Sequence, residues 1–251
     1  MSEPWRLLLG LVGSFAASYL GSALGPVHGT LRLPLILLAA GSATAGAGTN
    51  IAISAAAAGA GAGGLRHARE GRVDWRIVAW MAPPSVVGAV AGSLASPHIS
   101  HRLLYGVIAA ALFWSAIDLA FRPIKPRPRA KPRLAAAAVY GAGIGAVGGA
   151  IGVILGTLRM PALVRSVGID LRTAAGTNLV VGFMLGVASF LSHAASLEID
   201  WALLAVGLAG SIPGAWLGAR RSGSASERTL RIALAVTLAS VACVFAIEAA
   251  V

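Results

Sequence analysis

Long apolar stretches alternate along this chain with short clusters of Arg, Lys, Asp, Gly and Pro. An apolar stretch with few charges reads as a bilayer-crossing helix once it reaches about 20 residues, because a rise of about 1.5 Å per residue then covers a hydrocarbon core of about 30 Å. The pattern predicts long helices near 5–25, 44–65, 75–95 and 103–121, and again near 134–155, 173–192, 202–219 and 229–250. Two shorter apolar pieces stand at 30–41 and 157–168. Twelve helical residues rise about 18 Å, so neither piece crosses alone. Each carries Pro and is bracketed by Gly, which reads as a half-helix or re-entrant segment, a backbone tolerated at membrane depth only where it faces protein or a wet cavity.

The two sets of elements are copies. Gly29-Thr30-Leu31-Arg32-Leu33-Pro34 returns as Gly156-Thr157-Leu158-Arg159-Met160-Pro161, 127 positions on, and Gly48-Thr49-Asn50 returns as Gly176-Thr177-Asn178 at 128. His67, Asp74, Trp75, Gly88, Gly92, Ser100 and Arg102 reappear as His193, Asp200, Trp201, Gly214, Gly218, Ser226 and Arg228, all at 126. Ordered matches with so little drift identify a tandem duplication. The expected organisation is one membrane domain over 1–251, with repeat 1 at 1–121, a linker at 122–133 and repeat 2 at 134–251. The first stretch, with Arg6 before a Leu-rich run, has the look of a signal peptide. Its match to the mid-chain helix at 134–155 argues instead for a retained membrane helix.

Composition agrees with a bilayer as the solvent. Apolar residues make up 57% of 251 residues before 32 glycines are added, and 20 Lys+Arg with 9 Asp+Glu are too few to coat a soluble fold of this size. The net charge of +11 suggests nucleic acid at first sight. The basic residues, however, sit in short runs between apolar stretches and not on an amphipathic face, so a positive-inside bias explains them and no nucleic-acid partner is expected. Cys243 is the only cysteine, which excludes an internal disulfide and a cysteine-based metal cluster, and leaves a packing role.

Charge also orients the halves. The linker holds six Lys/Arg and no acid, so it belongs in the cytoplasm. Loop 66–76 carries Arg66, Arg69, Arg72 and Arg76, whereas its counterpart 192–200 has no Lys or Arg. Loop 96–102 holds one Arg, while its counterpart 220–228 holds Arg220, Arg221 and Arg228. Opposite bias in matching loops is expected if the halves insert in opposite orientations. Paired short segments in inverted halves are a secondary-transporter arrangement, with substrate at the repeat interface. A parallel duplication with re-entrant pieces is the alternative.

Several residues carry candidate chemistry. Arg32 and Arg159 lie inside the short apolar pieces, each two residues before a proline. Arginine in such a segment costs several kcal/mol unless it is paired or reaches water, and so marks a function by default. The plain alternative is snorkelling to the headgroups. As an anion ligand, guanidinium offers a fork of parallel N–H donors to carboxylate, sulfonate or sulfite. The two Gly-Thr-Asn steps bring Thr49, Asn50, Thr177 and Asn178 beside these segments. If a step opens a helix after a break, its free amides favour an anion; otherwise Thr and Asn bond one helix to another. His67 and His193 read as loop histidines beside Asp74 and Asp200, either proton relays or solvated groups. Asp118, the one acid well inside an apolar helix, is either a proton-coupling carboxylate or the partner of Arg122 four residues on. His28 is a second candidate for coupling. There is no Walker loop, zinc-type spacing or Ser/His/Asp set, so neither an ATP-driven pump nor a hydrolase is supported, and no cofactor is expected.

Two similar halves, each with an apolar first helix, a Gly-x-x-x-[Val/Leu/Met]-Pro short segment, a Gly-Thr-[Ser/Asn] step, a loop ending in Asp-[Trp/Leu] and a Gly-x-x-x-Gly helix, resemble the TauE/SafE sulfite exporter family. The likeness covers nearly the whole chain, but His28-Gly29-Thr30-Leu31-Arg32 stands where the family usually has a Gly-Gly-Gly run. The resemblance implies a bacterial inner-membrane carrier that exports sulfite, sulfonates or related small anions without ATP. The sequence reading is thus an all-α polytopic membrane protein that moves small oxyanions, with lipid as its surroundings and room for a homo-oligomer. A passive anion channel and a non-transporting membrane scaffold are the alternatives.

Overall fold

A computed structural model of the chain describes residues 2–24, 28–60, 67–121, 131–196, 199–221 and 227–250. Most of the expected linker, with Arg122, lies outside these residues, as do Arg66 and Ser222–Ser226. The elements are α1 (Glu3–Leu24), α2 (His28–Ala39), α3 (Ala43–Ala60), α4 (Trp75–Ala95), α5 (His101–Phe121), α6 (Leu134–Ile151), α7 (Gly156–Pro161), α8 (Leu171–Ala195), α9 (Trp201–Arg221) and α10 (Glu227–Ala250). No strand occurs among the described residues. Four of the helices, α4, α6, α8 and α9, are long and apolar enough to cross a membrane.

Local chemistry sets the helix ends. Asp74 caps α4 by accepting from the amides of Arg76 and Ile77, both at 3.0 Å, and Asp170 caps α8 by accepting from Arg172 and Thr173, also at 3.0 Å. Asp200 accepts from the Leu203 amide at 2.9 Å at the start of α9. The recurring Asp-Trp step is therefore an N-cap followed by the first helical residue. Helix α6 stops at Ile151, not at 155, because Gly152 takes a left-handed conformation with φ 72°. A β-carbon there would also overlap the backbone of Ala47, so glycine is required twice over. Beyond Pro161 the chain makes a π-helical turn over Ala162–Val167 and ends it at Gly168, φ 91°.

Small residues fill the helix contacts and large ones face outward. Gly88 and Gly92 of α4 lie on the backbone of Ala142 and Ala146 in α6, while Gly145 and Gly149 of α6 lie on the backbone of Ser85 and Ala89. Helix α1 meets α9 in the same way, with Gly210 against Leu11 and Gly214 against Phe15. All six tryptophans, Trp5, Trp75, Trp80, Trp114, Trp201 and Trp216, are at least half exposed. Apolar bulk outside and glycine inside is the packing expected where lipid, not water, surrounds the helices. Cys243, expected to pack, faces outward on α10.

The long helices pair across the chain midpoint: α1 with α9, α4 with α6, α3 with α8 and α5 with α10. Within the first two pairs the helices run in the same sense, from the Arg6–Asp200 ion pair to the Phe15–Gly214 contact in one, and from Met81–Gly141 to Gly92–Ala146 in the other. Helix α2 folds back along α3, Leu37 lying by Gly46 and Gly29 by Ser54.

Candidate functional site

The short helices place two arginines in the interior. Arg32 and Arg159 are both fully buried, and neither has an acidic partner among the described residues. Snorkelling to headgroups is thereby excluded for both, because a snorkelled head would be wet.

Each arginine meets the asparagine of its own Gly-Thr-Asn step. Arg32 donates from Nε to Asn50 Oδ1 at 2.9 Å and from Nη2 to the Asn50 carbonyl at 3.1 Å. Its Nη2 also donates to Ser54 Oγ at 2.6 Å, and Nη1 donates to Ser211 Oγ on α9 at 2.9 Å. Asn50 is itself held, since its Nδ2 donates to the carbonyls of Gly29 at 3.0 Å and Gly152 at 2.8 Å. In the second half, Arg159 Nη1 donates to Asn178 Oδ1 at 3.0 Å and to the Asn178 carbonyl at 3.4 Å, and Asn178 Nδ2 donates to the Gly156 carbonyl at 3.4 Å. Arg159 Nε and Nη2 have no partner among the described residues.

The threonines do something else. Thr49 Oγ1 accepts from the Asp200 amide at 3.0 Å, and Thr177 Oγ1 accepts from the Asp74 amide at 3.0 Å. Each hydroxyl thus ties one half to the cap residue of the other. Neither Gly-Thr-Asn step opens a helix, because Thr49 and Thr177 both fall more than a turn inside α3 and α8. The expectation of free amides aimed at an anion is corrected accordingly: those amides lie within helices, and the side chains carry the polarity.

Two further expectations change. His193 is not a solvated loop residue; it lies in the last turn of α8, buried, with Nε2 3.2 Å from the Gly149 carbonyl. Asp118 is engaged by Arg165, which donates from Nη1 at 2.6 Å from the π-helical turn after α7. Spacing along α5 pointed to Arg122, and only the tertiary fold brings Arg165 to this carboxylate. His28 opens α2, and its side chain is not among those described.

Sequence reasoning missed Ser54 and Ser211. The signal was present, since Ser211 recurs as Ser85 at a shift of 126, whereas Ser54 meets Gly182 at 128.

Buried, acid-free guanidinium groups on short interrupted helices suit the handling of an anion. Residues 6–245 match the family described as Sulfite exporter TauE/SafE. The chain belongs to that family. It is 33% identical over 181 residues to "Probable membrane transporter protein y4hK" of Sinorhizobium fredii (strain NBRC 101917 / NGR234), covering 67% of this chain and 70% of that protein. It is 24% identical over 177 residues to "Probable membrane transporter protein YdhB" of Bacillus subtilis (strain 168), covering 68% of this chain and 72% of that one. No solved structure matches the chain. A TauE/SafE member with these apolar helices is a membrane transporter protein.

Proposed function

We propose that this TauE/SafE protein is a multi-pass secondary transporter of the bacterial inner membrane that exports small oxyanions such as sulfite or organosulfonates. The buried Arg32–Asn50 and Arg159–Asn178 pairs give its interior the positive charge that draws an anion. The observation that carries this reading is the burial of two arginines, each bonded to an asparagine and neither paired with a carboxylate among the described residues. An interior that holds cationic groups without counter-charges is electrostatically prepared for an anion, and one that arrives relieves the desolvation penalty.

The two halves in this reading are inverted copies with the site between them. Support comes from contacts that recur at the repeat shift: Thr49 with Asp200 and Thr177 with Asp74, or Gly88 with Ala142 and Gly214 with Phe15. Directions support it too. Thr49, early in α3, bonds Asp200 just past the end of α8, while Ala55, later in α3, lies at Gly186, midway along α8, so α3 runs opposite to α8, its counterpart in the other half.

The test is flux. Purified protein in proteoliposomes should move radiolabelled sulfite or methanesulfonate, and an imposed pH gradient should change the steady accumulation. Arg32→Gln with Arg159→Gln should abolish that flux. Conductance that never accumulates anion against a gradient would assign a channel, and retained flux in the double variant would remove the arginines from the site.

A further inference from the structure

The two arginines occupy matching positions, yet their hydrogen bonding differs in a way that the duplicated sequence does not announce. A guanidinium group has one edge on which the Nε–H and Nη2–H bonds lie parallel, and this edge accepts two oxygens of a single carboxylate, sulfonate or sulfite. Arg32 commits that edge to the protein, with Nε on Asn50 Oδ1 and Nη2 on the Asn50 carbonyl and Ser54. Arg159 is turned, so that Nη1 meets Asn178 and the Nε/Nη2 edge has no partner among the described residues.

One substitution between the halves, and a different use of one matching serine, accompany the difference. The residue matching Ser54 at a shift of 128 is Gly182. A β-carbon built there would lie 3.3 Å from Arg159 Nη1 and 3.1 Å from Ile154 Cγ2, so it is the missing side chain that leaves the guanidinium without a hydroxyl. The counterpart of Ser211 is Ser85, which is fully buried and whose hydroxyl has no hydrogen-bond partner among the described residues. Two charged N–H donors buried without acceptors are costly to keep, which gives an arriving ligand a direct stabilising role. The π-helical turn that follows Pro161, absent after Pro34 within α2, lies next to this group in sequence.

We propose that the anion is gripped by the Nε/Nη2 edge of Arg159 alone, and that Arg32 is a fixed strut. This rests on the oxyanion-transport reading. The ligand class is a small anion with two oxygens on one central atom, whereas a halide, with a single centre, makes poor use of the edge. A charge-preserving change isolates the edge, since lysine keeps the charge and lacks the fork.

Full-length protein in detergent would be titrated with sulfite, methanesulfonate, acetate and chloride, reading binding by calorimetry and melting temperature without anion. Arg159→Lys should weaken oxyanion binding at least tenfold while the anion-free melting temperature holds or rises. Arg32→Lys should lower the melting temperature but change the affinity of the folded fraction less than threefold. Gly182→Ser, which keeps Arg159 and offers it a hydroxyl, should also weaken binding, and covers the case in which Arg159→Lys fails to fold. Unchanged affinity in Arg159→Lys or Gly182→Ser, or equal losses in both lysine variants at full stability, would overturn the assignment and leave oxyanion transport standing. Failure of every oxyanion to bind or cross with the unaltered protein would overturn both.

Discussion

At the scale of single residues, the same tripeptide does two jobs. In Gly-Thr-Asn the asparagine faces an arginine, whereas the threonine reaches into the other half and accepts the amide of an aspartate that caps a helix. Removing either threonine acceptor deprives a part-buried amide of its partner, a loss of about 0.5–1.5 kcal/mol. Thr49→Val and Thr177→Val should therefore each lower unfolding stability by that amount in detergent titrations, and anion affinity in the folded protein should stay as it was. The sequence made the six candidate residues of the short pieces and Gly-Thr-Asn steps visible because a duplication exposes what recurs. It could not separate Arg32 from Arg159, since the distinction lies in Ser54 against Gly182 and in which nitrogen turns to the asparagine. His193 misled for a related reason: the histidine and the Asp200 near it in sequence suggested a loop, but α8 runs on to Ala195 and carries the ring inside.

At the scale of elements, the hydropathy pattern located the helices to within a few residues, including the short pieces, because long apolar stretches broken by Asp caps and left-handed glycines leave few alternatives. What the pattern lacked was depth of contact. Gly92 and Gly149 sit where a β-carbon would overlap a carbonyl or backbone of the facing helix, whereas a β-carbon at Gly106 or Gly143 would meet nothing within 4 Å among the described residues. Gly92→Val or Gly149→Val should push α4 from α6 and abolish the folded peak in size-exclusion chromatography. Gly143→Ala should leave that peak intact and raise the melting temperature slightly, because alanine is the better helix former by about 0.5–1 kcal/mol. Both glycine classes look alike in the sequence, and only the helix pairing tells them apart.

At the scale of the whole molecule, inverted insertion makes a prediction independent of substrate. In a Cys243→Ser background, a single cysteine at exposed Ser196 should react with a membrane-impermeant maleimide in intact cells, and one at exposed Arg69 should be protected until the cells are opened. Equal behaviour at the two positions would favour the parallel arrangement. The glycine-lined pairs bear also on how the chain is made. Each long helix has its long partner in the other half, so when α5 leaves the ribosome not one of these pairs is complete. Nascent α1, α3 and α4 must wait in lipid with their bare glycine and serine faces uncovered until the second half is synthesised. Cutting the chain within 122–133 and producing 1–121 and 134–251 together should return a complex that co-purifies, while either half made alone should be degraded. In this sense the molecule is a dimer that translation happens to deliver in a single piece.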